Sequence, residues 1–274
     1  MNYRHAYHAG NSADVFKHYV LTLALAALHK KDTPFCVVDT HAGAGLYRLK
    51  KPGEFEQGIG RLWPQRAAWP ALADYLDVVA AFNPHAALKS YPGSPLIIQK
   101  FLRVQDRALC FELHPQECAH LNTVLAHGPR VTVTEVNGWN ALRGALPPKE
   151  NRGLVLIDPP YEQPGDFKAL ATALGVAGKH WRNGIYLAWY PVKQRRPIER
   201  LHAAVRALKL EAAAVEFLTL PADVEQRLNG SGYVLINPPW KLLDTLRATL
   251  PSLAEFLAGA DGRPAVQVWD LSGA

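Results

Sequence analysis

Short apolar runs rich in branched residues alternate along the chain with longer stretches whose apolar positions recur at helical spacing. The segment from Val15 to Leu28 is apolar on nearly all sides, which predicts a buried helix beginning at Ala13 and ending near Lys31. Ser12 is placed to cap it and Asp14 falls in its first turn. Strands are expected at 35–40, 108–113, 131–136, 153–158 and 184–190, and helices at 94–103, 197–209 and 242–250. Residues 213–220 and 232–237 read as a late pair of strands joined by a turn-rich loop, and 265–269 as an edge strand. Strands alternating with helices predict an α/β fold with a mostly parallel sheet.

Residues 48–92 break this rhythm. Lys50-Lys51-Pro-Gly opens the segment, Tyr91-Pro-Gly closes it, and helical spacing returns only over 71–82. Dinucleotide folds place an acid at the tip of the second strand ~20 residues after the glycine loop, so the long gap from Asp39 to Glu112 implies ~50 inserted residues. The expected organisation is a core of 1–47 and 93–274 with a small helical insertion at 48–92.

Several strand ends carry candidate chemistry. The first runs into Asp39-Thr-His41-Ala-Gly43-Ala-Gly45, where glycines let a cofactor approach the backbone. The fourth stops at Asp158-Pro159-Pro160-Tyr161. Ligands of open α/β sheets bind at the carboxyl ends of strands. Asp158 and the Pro159 carbonyl are expected to offer two acceptors, with no competing donor, to the two hydrogens of a planar amine. Tyr161 offers a ring for stacking. Glu112 is placed to take the hydroxyls of a ribose, and Asn137-Gly138 to flank an adenine edge. Asn237-Pro-Pro-Trp240 is a second candidate for the amine grip. Its strand is expected toward a sheet edge, away from the cofactor, which favours Asp158. Lys193, Arg195 and Arg196 form a basic cluster after the fifth strand, suited either to phosphates or to solvent.

The chain has 274 residues and 49% apolar content, enough for a large core. Thirty Lys and Arg against 24 Asp and Glu give a net charge of +6, a mild excess compatible with a nucleic-acid partner. Three scattered cysteines argue against a disulfide framework. The polar start and the lack of a ~20-residue apolar run lead to the expectation of a cytoplasmic protein without a membrane partner. No metal site is expected: His114 and Cys118 find no further ligands.

The stretch from Tyr3 to His18 joins the Asp39–Gly45 loop, Tyr91-Pro-Gly-Ser94-Pro, Glu112-Leu-His-Pro, Leu156-Ile-Asp-Pro-Pro-Tyr-Glu and Ile236-Asn-Pro-Pro-Trp. Together they resemble the RlmJ family across essentially the whole chain. The resemblance implies a class I, Rossmann-like methyltransferase that uses S-adenosyl-L-methionine on the exocyclic N6 amine of one adenine in bacterial 23S ribosomal RNA; separately, a monomer is expected. It further implies cofactor contacts at His18, His41, Ser94, Glu112, Asn137, Gly138 and Asp158, substrate contacts at Tyr3 and Lys17, and catalysis by Asp158; Tyr161, through its ring, is the remaining expected substrate contact. Asn137 departs from the family's acid at that position. Two other readings remain open at this level: a DNA adenine or protein-glutamine amino-methyltransferase, and a non-enzymatic RNA-binding assembly factor on the same scaffold.

Overall fold

The computed structural model describes residues 5–125, 130–221, 228–259 and 262–273. An eight-stranded sheet runs through it, built in chain order from β1 (Cys36–Asp39), β2 (Arg107–Glu112), β3 (Val131–Glu135), β4 (Gly153–Ile157), β5 (Ile185–Val192), β6 (Ala212–Leu218), β7 (Gly230–Ile236) and β8 (Ala265–Asp270). Across the sheet the order is β8-β6-β7-β5-β4-β1-β2-β3. The pairs from β3 to β5 are parallel, whereas β7 is antiparallel to both β5 and β6, and β8 to β6.

Strand periodicity sorts the core onto two faces. Val37, Leu154, Leu156, Leu187, Phe217 and Leu235 point to one, and Val38, Val155, Ile157, Ala188, Ala214 and Val234 to the other. Helices Ser12–His29 and Leu242–Ala258 cover the first face, and helices Asp166–His180 and Arg195–Arg206 the second. Each fully buried Leu, Ile or Phe contributes about 1.5–3 kcal/mol.

The 48–92 stretch is a relay of short elements. A 3-10 turn at Glu54–Gln57 and helix Ile59–Leu62 lead to further 3-10 turns and helix Ala73–Ala81. A two-stranded ribbon pairs Leu46–Arg48 with Ser90–Pro92 and closes it. Phe55, Ile59, Leu62, Leu72 and Tyr75 share one apolar cluster with Phe16, Tyr19 and Val20 of the first long helix. The insertion therefore packs against the element that carries Lys17 and His18.

Three expectations are corrected. Asn11, not Ser12, caps the first long helix; its side chain accepts the Asp14 N–H at 2.9 Å. The last helix does not stop at Leu250 but continues through Pro251 to Ala258. Burial of Leu246, Leu250, Leu253 and Leu257 offsets the hydrogen bond that proline removes. Finally, β7 is not toward an edge: it lies between β5 and β6, and the edge position belongs to β8.

Candidate active site

The carboxyl ends of β1, β2 and β4 lie together because these strands are parallel neighbours. The loop after β1 is held from below by Thr40, whose N–H and hydroxyl both donate to the Leu156 carbonyl, at 3.1 Å each. Gly43 and Gly45 take φ of +62° and +80°, a region that side chains oppose. A Cβ on Gly138 would collide with the Thr40 carbonyl oxygen, so the tip of β3 presses directly on this loop.

Glu112, at the end of β2, is fixed by backbone amides. Its two carboxylate oxygens accept the N–H groups of Gly43 and His114, each at 2.7 Å. Each oxygen keeps acceptor capacity for a ligand hydroxyl. Asp39 is fully buried and accepts the His41 N–H at 3.3 Å. Burial pushes its carboxyl up to about 7, against the opposing pull of the Ser94 hydroxyl and the His41 amide. Burial also lowers the His41 imidazole to about 4. Its Nδ1 meets the Thr40 hydroxyl at 2.8 Å and its ring stands edge-on to Trp139. His18 is buried, with Nδ1 2.8 Å from the Tyr91 hydroxyl, which in turn meets that of Tyr75 at 3.0 Å.

Asp158 is not without a competing donor. The Lys17 ammonium lies 2.8 Å from its Oδ2 and 2.9 Å from Asp14 Oδ1, and sits over the Trp189 ring, 4.8 Å from its centre. Lys17 is 6% exposed, which excludes a solvated side chain. Tyr161 has φ of +52°. Its hydroxyl donates to the Trp189 carbonyl at 2.6 Å, and its ring packs against Phe167 and Trp189. It is thus a half-buried wall of the site, not a free platform. Asn137 spends its side-chain oxygen on capping the next helix, accepting the Trp139 N–H at 2.9 Å. Tyr3 lies outside the described residues.

A family model described as "Ribosomal RNA large subunit methyltransferase D, RlmJ" matches residues 32–270. The chain belongs to this family. It is 39% identical to "Ribosomal RNA large subunit methyltransferase J" of Escherichia coli strain K12, over 98% of each chain. The protein of the same name from Haemophilus influenzae is 41% identical over 94% of each. A crystal structure from Legionella pneumophila superimposes with a TM-score of 0.91 at 33% identity, covering 96% of this chain and 98% of that one. A probable spermidine synthase from Corynebacterium glutamicum, 12% identical with a TM-score of 0.50 over 94% and 75% of the two chains, shares the fold alone.

Among the described residues around the RlmJ-family motifs, the carboxylates of Glu112 and Asp158 outnumber the ammonium of Lys17, and Asp14 and Asp39 are buried beside them. This balance, with the glycine loop and the fixed Glu112, fits the cationic S-adenosyl-L-methionine that the family's methyltransferase activity requires. The second amine-grip candidate is placed elsewhere. Because β7 runs antiparallel, Ile236 pairs with Tyr186 at the start of β5, and the Asn237 side chain donates to the Arg182 and Gly184 carbonyls at 2.8 and 2.7 Å. That motif sits at the opposite pole from Asp158. Two neighbours of the site were missed in the sequence. The spacing of Asp14 three residues before Lys17 is a usable signal for a pair on one helix face; Trp189 reaches Lys17 only through the sheet and gives none.

Proposed function

We propose that this protein transfers a methyl group from S-adenosyl-L-methionine to the exocyclic N6 amine of an adenine in 23S ribosomal RNA. The observation that carries this reading is the Asp158 carboxylate at the tip of β4, anchored by Lys17 beside the glycine loop of β1. The relatives' names supply the RNA, and the acidic, glycine-lined cradle supplies the fit to the methyl donor.

The cofactor brings an electrophilic methyl group on a positively charged sulfur. Glu112 is the acceptor for its ribose hydroxyls. His18, His41, Ser94 and Gly138 would line the same cradle, with Asn137 standing in place of the family's acid. Asp158 and the Pro159 carbonyl accept the two hydrogens of the target amine, which turns the nitrogen lone pair out of ring conjugation. Asp158 then stabilises the positive charge that grows on nitrogen as the N–C bond forms and the C–S electron pair stays with sulfur. The same carboxylate takes the surplus proton. Tyr161, Trp189 and Lys17 wall the place where a flipped base enters, and Tyr3 is assigned to stack on it. The 48–92 insertion acts as a helical subdomain that braces the Lys17 helix. A monomer in the cytoplasm suffices for this chemistry; among the described residues no helix is long and apolar enough to cross a membrane.

Asp158→Ala should abolish methyl transfer to unmodified 23S RNA, read as tritium incorporation. The variant should stay folded, while S-adenosyl-L-methionine binding measured by calorimetry weakens, because Asp158 is also an expected cofactor contact. Activity within a few-fold of the parent would remove Asp158 from the mechanism. Transfer by the parent to duplex DNA or a glutamine peptide in preference to RNA would replace the substrate class.

A further inference from the structure

Lys17 stands between two carboxylates, and only one of them belongs to the amine grip. Asp14 is 3% exposed, and both its oxygens are engaged. Oδ2 accepts the Gly10 N–H at 2.8 Å, and Oδ1 faces the Lys17 ammonium at 2.9 Å. Gly10 has φ of +80°, a conformation that side chains oppose, so the turn presenting its N–H is itself fixed. One helix face sets the spacing from Asp14 to Lys17, and the end of β4 sets the position of Asp158. The ammonium is thereby suspended between two separate elements, with the Trp189 ring as a third wall.

Resting on the methyltransferase reading above, we propose that Asp14 is a positioning residue for methyl transfer: it shares the charge of Lys17, so that the ammonium orients Asp158 without neutralising it. A lysine paired with Asp158 alone, in a site this buried, would form a tight contact pair. The carboxylate would then have little negative charge left for the nitrogen that becomes positive during transfer. With Asp14 on the other side, the ammonium divides its pull between two carboxylates, and Asp158 keeps negative charge for the incoming amine. Lys17 and Asp14 are buried on the inner side of this arrangement, and Asp158 is the member that reaches the site.

A purely structural role is the competing account. Asp14 lies in the first turn of a helix, where a carboxylate favours the dipole, and it holds Gly10. Loss of that role would weaken folding, cofactor binding and RNA binding together. The proposed role moves turnover alone.

Asp14→Asn separates the two, because asparagine keeps an oxygen for the Gly10 N–H and loses the charge opposite Lys17. Single-turnover and steady-state transfer of tritiated methyl to unmodified 23S RNA should show kcat reduced by about 10-fold or more. KM for RNA and the calorimetric Kd for S-adenosyl-L-methionine should stay within about 2-fold of the parent. In a Lys17→Met background, Asp14→Asn should cause no further loss, because its target is gone. Unchanged kcat in the single variant, or an additional loss in the Lys17→Met background, overturns the proposal. If the single variant does not fold, the decision passes to the double variant and Lys17→Met: equal turnover supports the role, and a further drop overturns it. Failure of the parent protein to methylate RNA would sink the methyltransferase reading itself, an outcome distinct from an active parent with an indifferent Asp14→Asn.

Discussion

Asp39 and His41 are two residues apart, and burial moves them in ways that give folding opposite pH dependences. Asp39 rises from 3.8 to about 7. The folded protein therefore holds this proton more tightly than the unfolded chain does. Its stabilising contribution is complete below the unfolded value and is lost as pH climbs through about 7. His41 falls from 6.5 to about 4, so its contribution is complete above 6.5 and is lost as pH drops through about 4. Asp39→Asn keeps an acceptor for the His41 N–H and removes only the titrating charge. Relative to the parent, the variant should gain more thermal stability at about pH 8 than at about pH 5, as melting curves at both would show. A constant offset at both pH values would mean that burial of Asp39 is not what sets its titration.

At the scale of elements, direction decides which of two similar motifs can do chemistry. Asp158-Pro-Pro-Tyr and Asn237-Pro-Pro-Trp both end strands, and the local sequence does not separate them. The sheet does, because β4 runs with β1 whereas β7 runs against β5. Asn237 has φ of +50° and ties together the Arg182 and Gly184 carbonyls. Asn237→Ala loses those bonds and places an alanine in left-handed backbone, so it should destabilise the fold by about 1–3 kcal/mol. Its kcat should match the parent's at a temperature where both are folded; a large fall in kcat with unchanged stability would reverse the assignment of the two motifs. Most strands were legible because runs such as Gly153–Ile157 are buried on both faces and leave an uninterrupted apolar signature. The place of β7 was not, since a strand that follows a neighbour by a hairpin can insert on either side of it. The site was legible where a residue's role follows from its own strand end, as for Asp158 and Glu112. It was not where a partner arrives from across the fold, as Trp189 does beneath Lys17.

Over the whole molecule, charge is arranged in two layers. The chain carries +6, yet Glu112 and Asp158 place carboxylates at the ends of β2 and β4. The basic cluster after β5 lies at the same pole as Asp158, because β4 and β5 are parallel. Within it the arginine side chains are not equivalent. Arg195 is folded back on the buried Glu216, with contacts of 2.8 and 2.7 Å to its two oxygens, and Glu216 also accepts the Tyr190 hydroxyl at 3.2 Å. Lys193 and Arg196 are exposed. Each exposed cation that meets a phosphate releases a counterion, so Lys193→Ala and Arg196→Ala should each weaken RNA binding and lower the slope of log K against log salt by about 1. Arg195→Ala should leave that slope near the parent's and instead lower the melting temperature, because the buried Glu216 would lose its partner. Salt titrations of the three variants on one 23S fragment decide the matter. A slope change at Arg195 equal to that at Lys193 would mean that the guanidinium leaves Glu216 for RNA, and that the cluster binds as a unit.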